Sequence, residues 1–236
     1  RRMWAKIMKV RFNVKDKKAL MCRFHTQTAG STLTAQQIDN NIVRTTLQAT
    51  ASVLGGTQSL HTNAKDEALA LPTEESAQLA LRTQQIIGHE TGIPDVADPL
   101  AGSFYIEELT DQIELEANKI IKNIDMLGGA VSGIEQEYQQ NEIATSAYEY
   151  QKGIDDKSNI IVGVNEFQNH VGNDNNNQIL HLSEESANNQ IKRLKEFKQN
   201  RNADAVNNKL KKLHEAAEQN NNLMPYIINA VKASAT

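Results

Sequence analysis

The sequence predicts an α/β protein in which parallel strands and helices form part of a (β/α)8 barrel, followed by a helical extension. From about Leu20 to Phe104, short apolar segments alternate with long helical patterns, which is typical of βα units around a parallel sheet. Three such units alone would leave the sheet edges open. An eight-unit barrel usually needs about 250 residues, so we expect the remaining units to precede Arg1.

Composition restricts the class of protein. The 236 residues include 25 Lys+Arg and 29 Asp+Glu, and 39% of them are hydrophobic. The formal net charge of −4 argues against a nucleic-acid or membrane partner, and no apolar run approaches the roughly 20 residues that span a bilayer. The single Cys22 cannot form an internal disulfide, which favours a reducing cytoplasm.

The chain opens inside an amphipathic pattern. Trp4, Ile7 and Met8 share one face of a helix. Because natural domains seldom begin in the middle of a helix, we expect the upstream part to be missing or to be a separate polypeptide.

The first predicted βα unit has its strand at 19–24. Its helix is expected to open at Thr34, with Gln37 completing a capping box. Apolar and small residues then recur at helical spacing, namely Ile38, Ile42, Thr45, Ala49 and Val53. The pair Gly55-Gly56 is expected to end this helix.

The next two units follow the same scheme. A second strand is predicted at 57–62, and its helix begins after Pro72-Thr73 and stops near Gly88. A third strand is predicted at 95–98. Thr110 is expected to cap the following helix, which ends at Gly128-Gly129.

Beyond these units, the sequence predicts helices at 130–138 and 141–152, and a strand at 160–167. The Asn-rich stretch 169–178 is the best candidate for a linker. Three amphipathic helices follow it. The predicted organisation is therefore a partial barrel with following helices at 1–168, a polar linker at 169–178 and a helical extension at 179–236. A nucleic-acid contact by the lysines near Lys211 is disfavoured because acidic residues lie among them.

Polar side chains gather where the predicted strands end. Active sites of parallel α/β folds lie at the carboxyl ends of the strands. These ends carry imidazole, amide, hydroxyl and carboxylate groups together with small residues, in His25 to Gly30, Gln58 to Glu67 and Asp98 to Ser103. Small residues let a large flat ligand approach the backbone, so this face is predicted to bind a bulky polar ligand.

Simpler roles remain open for several of these residues. His25 and His61 could be core histidines, or they could bind zinc together with Asp66 or Asp98, although the sequence has no metal-ligand spacing to support a metal. Glu67 could cap a helix or pair with Lys65.

The sequence also lacks a pattern for nucleophilic catalysis. No G-x-S-x-G motif is present, and Cys22 falls inside the predicted first strand, where we expect it to be buried.

Long segments of the chain resemble the adenosylcobalamin-dependent acyl-CoA mutases. The matching runs are RFHTQTAGSTLTAQQ from Arg23, GGTQSLHTN from Gly55 with DEA and ALPT after it, DPLAGS from Asp98 and GVN from Gly163. They stand in the order that the family has, and the similarity extends to NLMPY near the end. The nearest branch is the large subunit of the archaeal and bacterial methylmalonyl-CoA mutases.

The resemblance implies a fold and a set of site residues. The chain would supply the last three βα units of a (β/α)8 barrel whose carboxyl-terminal face meets cobalamin while acyl-CoA threads the barrel axis. His25 and Gln27 would lie at the corrin, and Gly30 would be a further cofactor-binding residue. Asn63 and Glu67 would hold the ribose of the adenosyl group, and amide and carboxylate groups suit ribose hydroxyls. Gln27 and Gln58 would contact the acyl-CoA.

The implied reaction is a radical carbon-skeleton rearrangement that interconverts methylmalonyl-CoA and succinyl-CoA. No catalytic residue of the family falls in this half of the barrel. The D-x-H-x-x-G motif of the family's cobalamin module is absent, and no metal ligand is assigned. The implied partners are the N-terminal half of the barrel and a small cobalamin-binding subunit, and the chain alone is expected to be inactive.

Two alternatives stay open. Ser31 stands where some methylmalonyl-specific members have Trp, so an isobutyryl- or 2-hydroxyisobutyryl-CoA mutase is possible. A non-catalytic assembly or binding remnant is the other alternative.

Overall fold

The computed structural model describes residues 1–169, 179–180 and 183–236. Contacts divide the chain into two units, 1–180 and 181–236. The described part is mostly helical with a small parallel sheet, so the predicted α/β class is confirmed at that level. Apart from Asn169, the predicted linker lies outside the described residues. Within the described part, no helix is long and apolar enough to cross a bilayer.

The sheet of the first unit consists of β1 (His25–Gln27) and β2 (Ser59–His61), which run parallel. His25 pairs with Ser59, and Gln27 pairs with His61. The second predicted strand is thus confirmed in its central part.

The first predicted strand, 19–24, is wrong because it ends where β1 begins. Asp16 starts a turn there, accepting the backbone N–H groups of Ala19 at 3.1 Å and Leu20 at 3.3 Å. Cys22 is consequently half-buried rather than buried in a strand.

Helix α1 (Arg2–Val10) and helix α2 (Asn40–Leu54) come before and after β1. In α2 the buried side chains are those of Asn41, Thr45 and Ala49, which are four residues apart and therefore share a face. The predicted capping box is wrong: the Gln37 side chain donates to Phe167 O at 3.0 Å instead, and the helix begins later. The predicted end at Gly55-Gly56 is confirmed, with Gly56 at φ +72°.

Helix α3 (Glu74–Glu90) begins as predicted after Pro72-Thr73. The Thr73 hydroxyl accepts the Ser76 N–H at 3.3 Å, which satisfies one of the free donors of the first turn. The buried side chains of α3 are mostly small, namely Ser76, Ala80, Thr83 and Ile87. Small side chains allow close packing, and α3 packs against α2.

The third predicted strand, 95–98, is wrong. The chain forms a 3-10 turn at Ile93–Asp95, after Gly92 at φ +66°. Helix α4 (Phe104–Met126) then starts after Ser103 rather than after Thr110. Thr110 lies inside the helix, where its hydroxyl donates to Ile106 O at 2.7 Å.

Helices α5 (Ala130–Glu135) and α6 (Tyr138–Asp155) confirm the two predicted shorter helices with small shifts of boundary. The strand predicted at 160–167 is wrong, because the segment folds into turns around Asn165. This side chain accepts the Ile161 N–H at 2.7 Å and donates to Ile154 O at 2.9 Å. Arg44 of α2 donates to Val162 O at 2.8 Å, which attaches the segment to α2.

The second unit contains the three predicted amphipathic helices, α7 (Glu184–Asn200), α8 (Ala203–Glu218) and α9 (Met224–Lys232). Among the residues of this unit that the structure describes, the buried apolar side chains are those of Val206, Ala216 and Ala230, and α8 packs against α9. Arg201 donates to Ser234 O at 2.9 Å, which joins the start of α8 to the end of the chain.

Candidate functional site

One face of the sheet carries four exposed polar side chains. His25 and Gln27 alternate with Thr26 along β1, and Ser59 and His61 stand opposite them on β2. Side chains two residues apart lie on the same face of a strand, so the pairing brings these four together. His25 Nδ1 and Ser59 Oγ share a hydrogen bond of 2.7 Å. Since both histidines are exposed, neither is a core histidine.

Beyond the strand ends, two buried polar residues link the segments that follow β1 and β2. The Thr28 N–H donates to His61 O at 3.0 Å and so continues the ladder. The Thr28 hydroxyl donates to Asn63 Oδ1 at 2.6 Å and accepts the Asn63 N–H at 2.9 Å. Thr28 and Asn63 are only 4% and 2% exposed, so these bonds form in a medium where they are strong.

Asn63 is assigned to the cofactor, and two further residues with that assignment, Gly30 and Glu67, lie close to it. A Cβ added to Gly30 would lie 3.1 Å from Asn63 Nδ2 and 3.5 Å from Glu67 Oε1. The absence of a side chain at residue 30 therefore leaves room next to an amide and a carboxylate. Glu67 is exposed, whereas Asn63 Nδ2 is buried and has no hydrogen-bond partner among the described residues. Gly30, Asn63 and Glu67 together form what we call the cradle.

Gln58 lies at the other end of β2, before its first residue. Its side-chain oxygen accepts the Phe24 N–H at 2.8 Å, and its Nε2 donates to Gly56 O at 3.1 Å. These bonds hold the Gln58 amide between the residues that precede β1 and β2. An amide has two donors and two acceptor positions, so Gln58 keeps capacity for a further partner. The structure does not bring it to the cradle.

The alternative pairing of Glu67 with Lys65 is wrong. The Lys65 ammonium lies 2.7 Å from Asp39 Oδ1, and this hydrogen bond raises the pKa of Lys65. The neighbouring Asp66 is buried and accepts the Thr73 N–H at 3.0 Å, which ties the loop after β2 to the start of α3. In the described ranges, no three metal-ligating side chains converge on a common point.

Thr28 is the residue that sequence reasoning missed. Its type and its place directly after a strand are unremarkable, and only the pairing of β1 with β2 brings its hydroxyl to Asn63. Ser31, the position with a possible bearing on substrate choice, is exposed and lines a separate groove of about 590 Å³ beside α2.

The cradle fits part of the cofactor that the resemblance implies. A ribose diol offers oxygens that can accept a hydrogen bond from an amide N–H and hydroxyls that can donate to a carboxylate. Asn63 Nδ2 is a buried donor without a partner among the described residues, Glu67 supplies the acceptor, and at residue 30 no side chain crowds the two groups. A buried donor without a partner is costly, and a sugar hydroxyl would satisfy it.

Comparison with known proteins agrees with these features. The protein family described as methylmalonyl-CoA mutase matches residues 1–236. The large subunit of 2-hydroxyisobutanoyl-CoA mutase from Aquincola tertiaricarbonis is 44% identical over the whole chain. Methylmalonyl-CoA mutase of Escherichia coli is 42% identical over 95% of the chain, and the human mitochondrial enzyme is 41% identical over all of it.

The chain spans 42%, 31% and 32% of the lengths of these three relatives. Its similarity therefore concerns a part of each of them, although it extends over nearly all of this sequence. On the family match to all 236 residues, the chain belongs to the methylmalonyl-CoA mutase family.

Proposed function

We propose that this chain is part of the large subunit of an adenosylcobalamin-dependent acyl-CoA mutase that interconverts methylmalonyl-CoA and succinyl-CoA. The observation that carries the proposal is the convergence of Gly30, Asn63 and Glu67 in a chain that matches this family throughout. The cofactor, when bound, supplies the radical chemistry of the carbon-skeleton rearrangement. The protein's part is to bind, orient and shield the reacting groups.

In this proposal each site residue would have its own role. Asn63 would donate to a ribose oxygen of the adenosyl group, and Glu67 would accept from a ribose hydroxyl. His25 and Gln27, exposed on one face of the sheet, would lie against the corrin. Gln27 and Gln58 would contact the acyl-CoA.

We also propose that the two strands belong to a (β/α)8 barrel. In the described residues, β1 and β2 pair only with each other, so each has one edge free for a further strand. The N-terminal half of the barrel would supply those strands. A small cobalamin-binding subunit would supply the cobalt ligand, and a cytoplasmic location would suit such an assembly.

A 2-hydroxyisobutyryl-CoA mutase is the second candidate function. A relative with that activity in its name is as similar to this chain as the methylmalonyl-CoA mutases are, and residue 31 is Ser. The two candidates share the cradle and differ only in the acyl group.

The test is turnover by the native polypeptide that carries this chain, combined with its cobalamin-binding subunit and adenosylcobalamin. We expect conversion of (R)-methylmalonyl-CoA to succinyl-CoA, measured by chromatography of the CoA esters. Conversion of 2-hydroxyisobutyryl-CoA alone would select the second candidate. Failure with both esters, in an assembly that binds the cofactor, would contradict both, and the 236-residue chain by itself should be inactive.

A further inference from the structure

The orientation of the Asn63 amide is determined by one hydroxyl. The oxygen of the Thr28 hydroxyl already accepts the backbone N–H of Asn63 at 2.9 Å. The hydroxyl proton therefore points away from that N–H, toward the Asn63 side chain. The separation of 2.6 Å is the length of an O–H···O bond and short for N–H···O. Thr28 therefore holds the carbonyl oxygen of the Asn63 amide.

This leaves the amide nitrogen on the side of the cradle. Asn63 Nδ2 lies 3.1 Å from the position of a Cβ on Gly30, and Glu67 Oε1 lies 3.5 Å from the same point. If the amide were turned over, its oxygen would take the place of Nδ2 beside Gly30, and the cradle would present two acceptors. Such a site could only accept the protons of a diol, and it would offer no N–H to the oxygens of the diol.

We propose that Thr28 is a positioning residue. It orients the Asn63 side chain so that the amide N–H, rather than the amide oxygen, faces a ligand diol between Gly30 and Glu67. The inference rests on the proposed function and deepens it by naming what sets the polarity of the ribose site. Thr28 itself is buried and acts through Asn63.

The test compares cobalamins with and without the adenosyl group. In the assembled native mutase, the Kd values of adenosylcobalamin and methylcobalamin are measured for the wild type, Thr28→Val and Thr28→Ser. Valine has nearly the shape of threonine but no hydroxyl, whereas serine keeps it. The quantity of interest is the ratio of the two Kd values, because a general loss of stability changes both in the same direction.

We expect Thr28→Val to weaken adenosylcobalamin relative to methylcobalamin by about fivefold to tenfold, the usual effect of one hydrogen bond. Thr28→Ser should keep the wild-type ratio within about twofold. In an Asn63→Ala background, Thr28→Val should leave the ratio unchanged, because the residue through which Thr28 acts is gone. If Thr28→Val does not fold, it is replaced by Thr28→Ala. The smaller alanine leaves room for a water molecule that can bond to the backbone N–H of Asn63.

Equal weakening of both cobalamins by Thr28→Val would overturn the positioning role, as would the same change in ratio with and without Asn63. A wild-type enzyme that binds the two cobalamins equally well would instead contradict the proposed ribose site itself. The two failures are thus separate.

Discussion

At the scale of single residues, the missing side chain of Gly30 creates the space in the cradle. An alanine Cβ would lie 3.1 Å from Asn63 Nδ2, which is tight but tolerable if the amide shifts slightly. No positive φ is required at this position, so the backbone accepts alanine. We expect Gly30→Ala to fold and to weaken adenosylcobalamin binding by about tenfold, since the added methyl group would displace the Asn63 amide and restrict the approach of the ligand. Isothermal titration of the assembled mutase with adenosylcobalamin measures this affinity.

Gly88 offers a matched control. It lies exposed within α3, and an added Cβ would meet nothing within 4 Å. Gly88→Ala should stabilise the helix by about 0.5–1 kcal/mol and leave cofactor affinity unchanged. Equal cofactor affinity in the Gly30 and Gly88 variants would show that Gly30 does not border the ligand.

Glu67 permits a second test at this scale, because it combines exposure with a place beside Gly30. We expect Glu67→Ala to reduce turnover of the assembled mutase at least tenfold while the melting temperature stays within about 2 °C, as is usual for exposed sites. Glu67→Gln keeps the shape of the side chain and one acceptor oxygen, so its turnover should lie between those of the wild type and Glu67→Ala. Glu67 lies in the turns before α3, whose first turn is capped by Thr73, so the alternative role of Glu67 as a helix cap is wrong. Unchanged turnover would leave Glu67 as no more than an exposed carboxylate of these turns.

At the scale of secondary structure elements, ion pairs join α1 to α4. Arg2 bonds to Asp111 and Glu114, Lys6 lies 2.7 Å from Glu114, and Arg11 bonds to Asp125 through both terminal nitrogens at 2.8 and 2.9 Å. The hydrogen bond from Lys6, followed by that from Arg2, lowers the pKa of Glu114 below its ordinary 4.5. A carboxyl whose pKa is lowered by folding stabilises the folded state above its ordinary pKa and loses that effect as the pH falls through the lowered value.

We therefore expect Glu114→Gln to loosen α1 at neutral pH and to have no effect below the lowered pKa of Glu114, where the wild-type carboxyl is itself protonated. Trp4 on α1 is the only tryptophan of the chain, so its fluorescence emission reports the docking of α1. Glu116→Gln is the control, since Glu116 pairs with Lys119 of the same helix. A difference between wild type and Glu114→Gln that stays constant while the Glu114 carboxyl becomes protonated would show that the ion pairs do not hold α1.

The elements also show where local sequence signals suffice. Thr73 with Ser76 begins α3, and Gly55-Gly56 ends α2, as expected from capping chemistry within a few residues. Strand prediction failed at 19–24 and 160–167, where apolar content suggested strands. Among the described residues, no strand pairs along either segment, although Phe24 O accepts the Gln58 N–H at 3.1 Å. In the second case the side chains of Asn165, Gln37 and Arg44 bond to the backbone of the segment and its neighbours instead.

At the scale of the whole molecule, large apolar side chains of α4 are exposed. Phe104, Tyr105 and Ile113 are 95%, 74% and 59% exposed, and none of the residues of α4 is buried. Exposed apolar surface of this kind favours association with other protein surfaces. We expect the 236-residue chain to bind a hydrophobic dye and to self-associate at micromolar concentration.

Two substitutions distinguish association through the apolar surface of α4 from a general instability of the chain. Ile113→Lys should lower both dye binding and self-association, measured by fluorescence and by sedimentation, whereas Gln112→Lys on the same helix adds the same charge without removing apolar surface. Identical behaviour of the two variants would contradict an apolar association surface on α4.

The sequence by itself determined the helical parts of this protein, the residues at the strand ends and the family resemblance that the family match confirms. Caps, helix periodicity and contiguous motifs depend on residues close together in the chain, so they can be read locally. Only the tertiary structure decided that β1 and β2 are short and that Thr28 meets Asn63. It also decided that Gly30 faces Glu67. These contacts join residues more than 30 positions apart, and their energy depends on burial and on hydrogen-bond partners that no local pattern specifies.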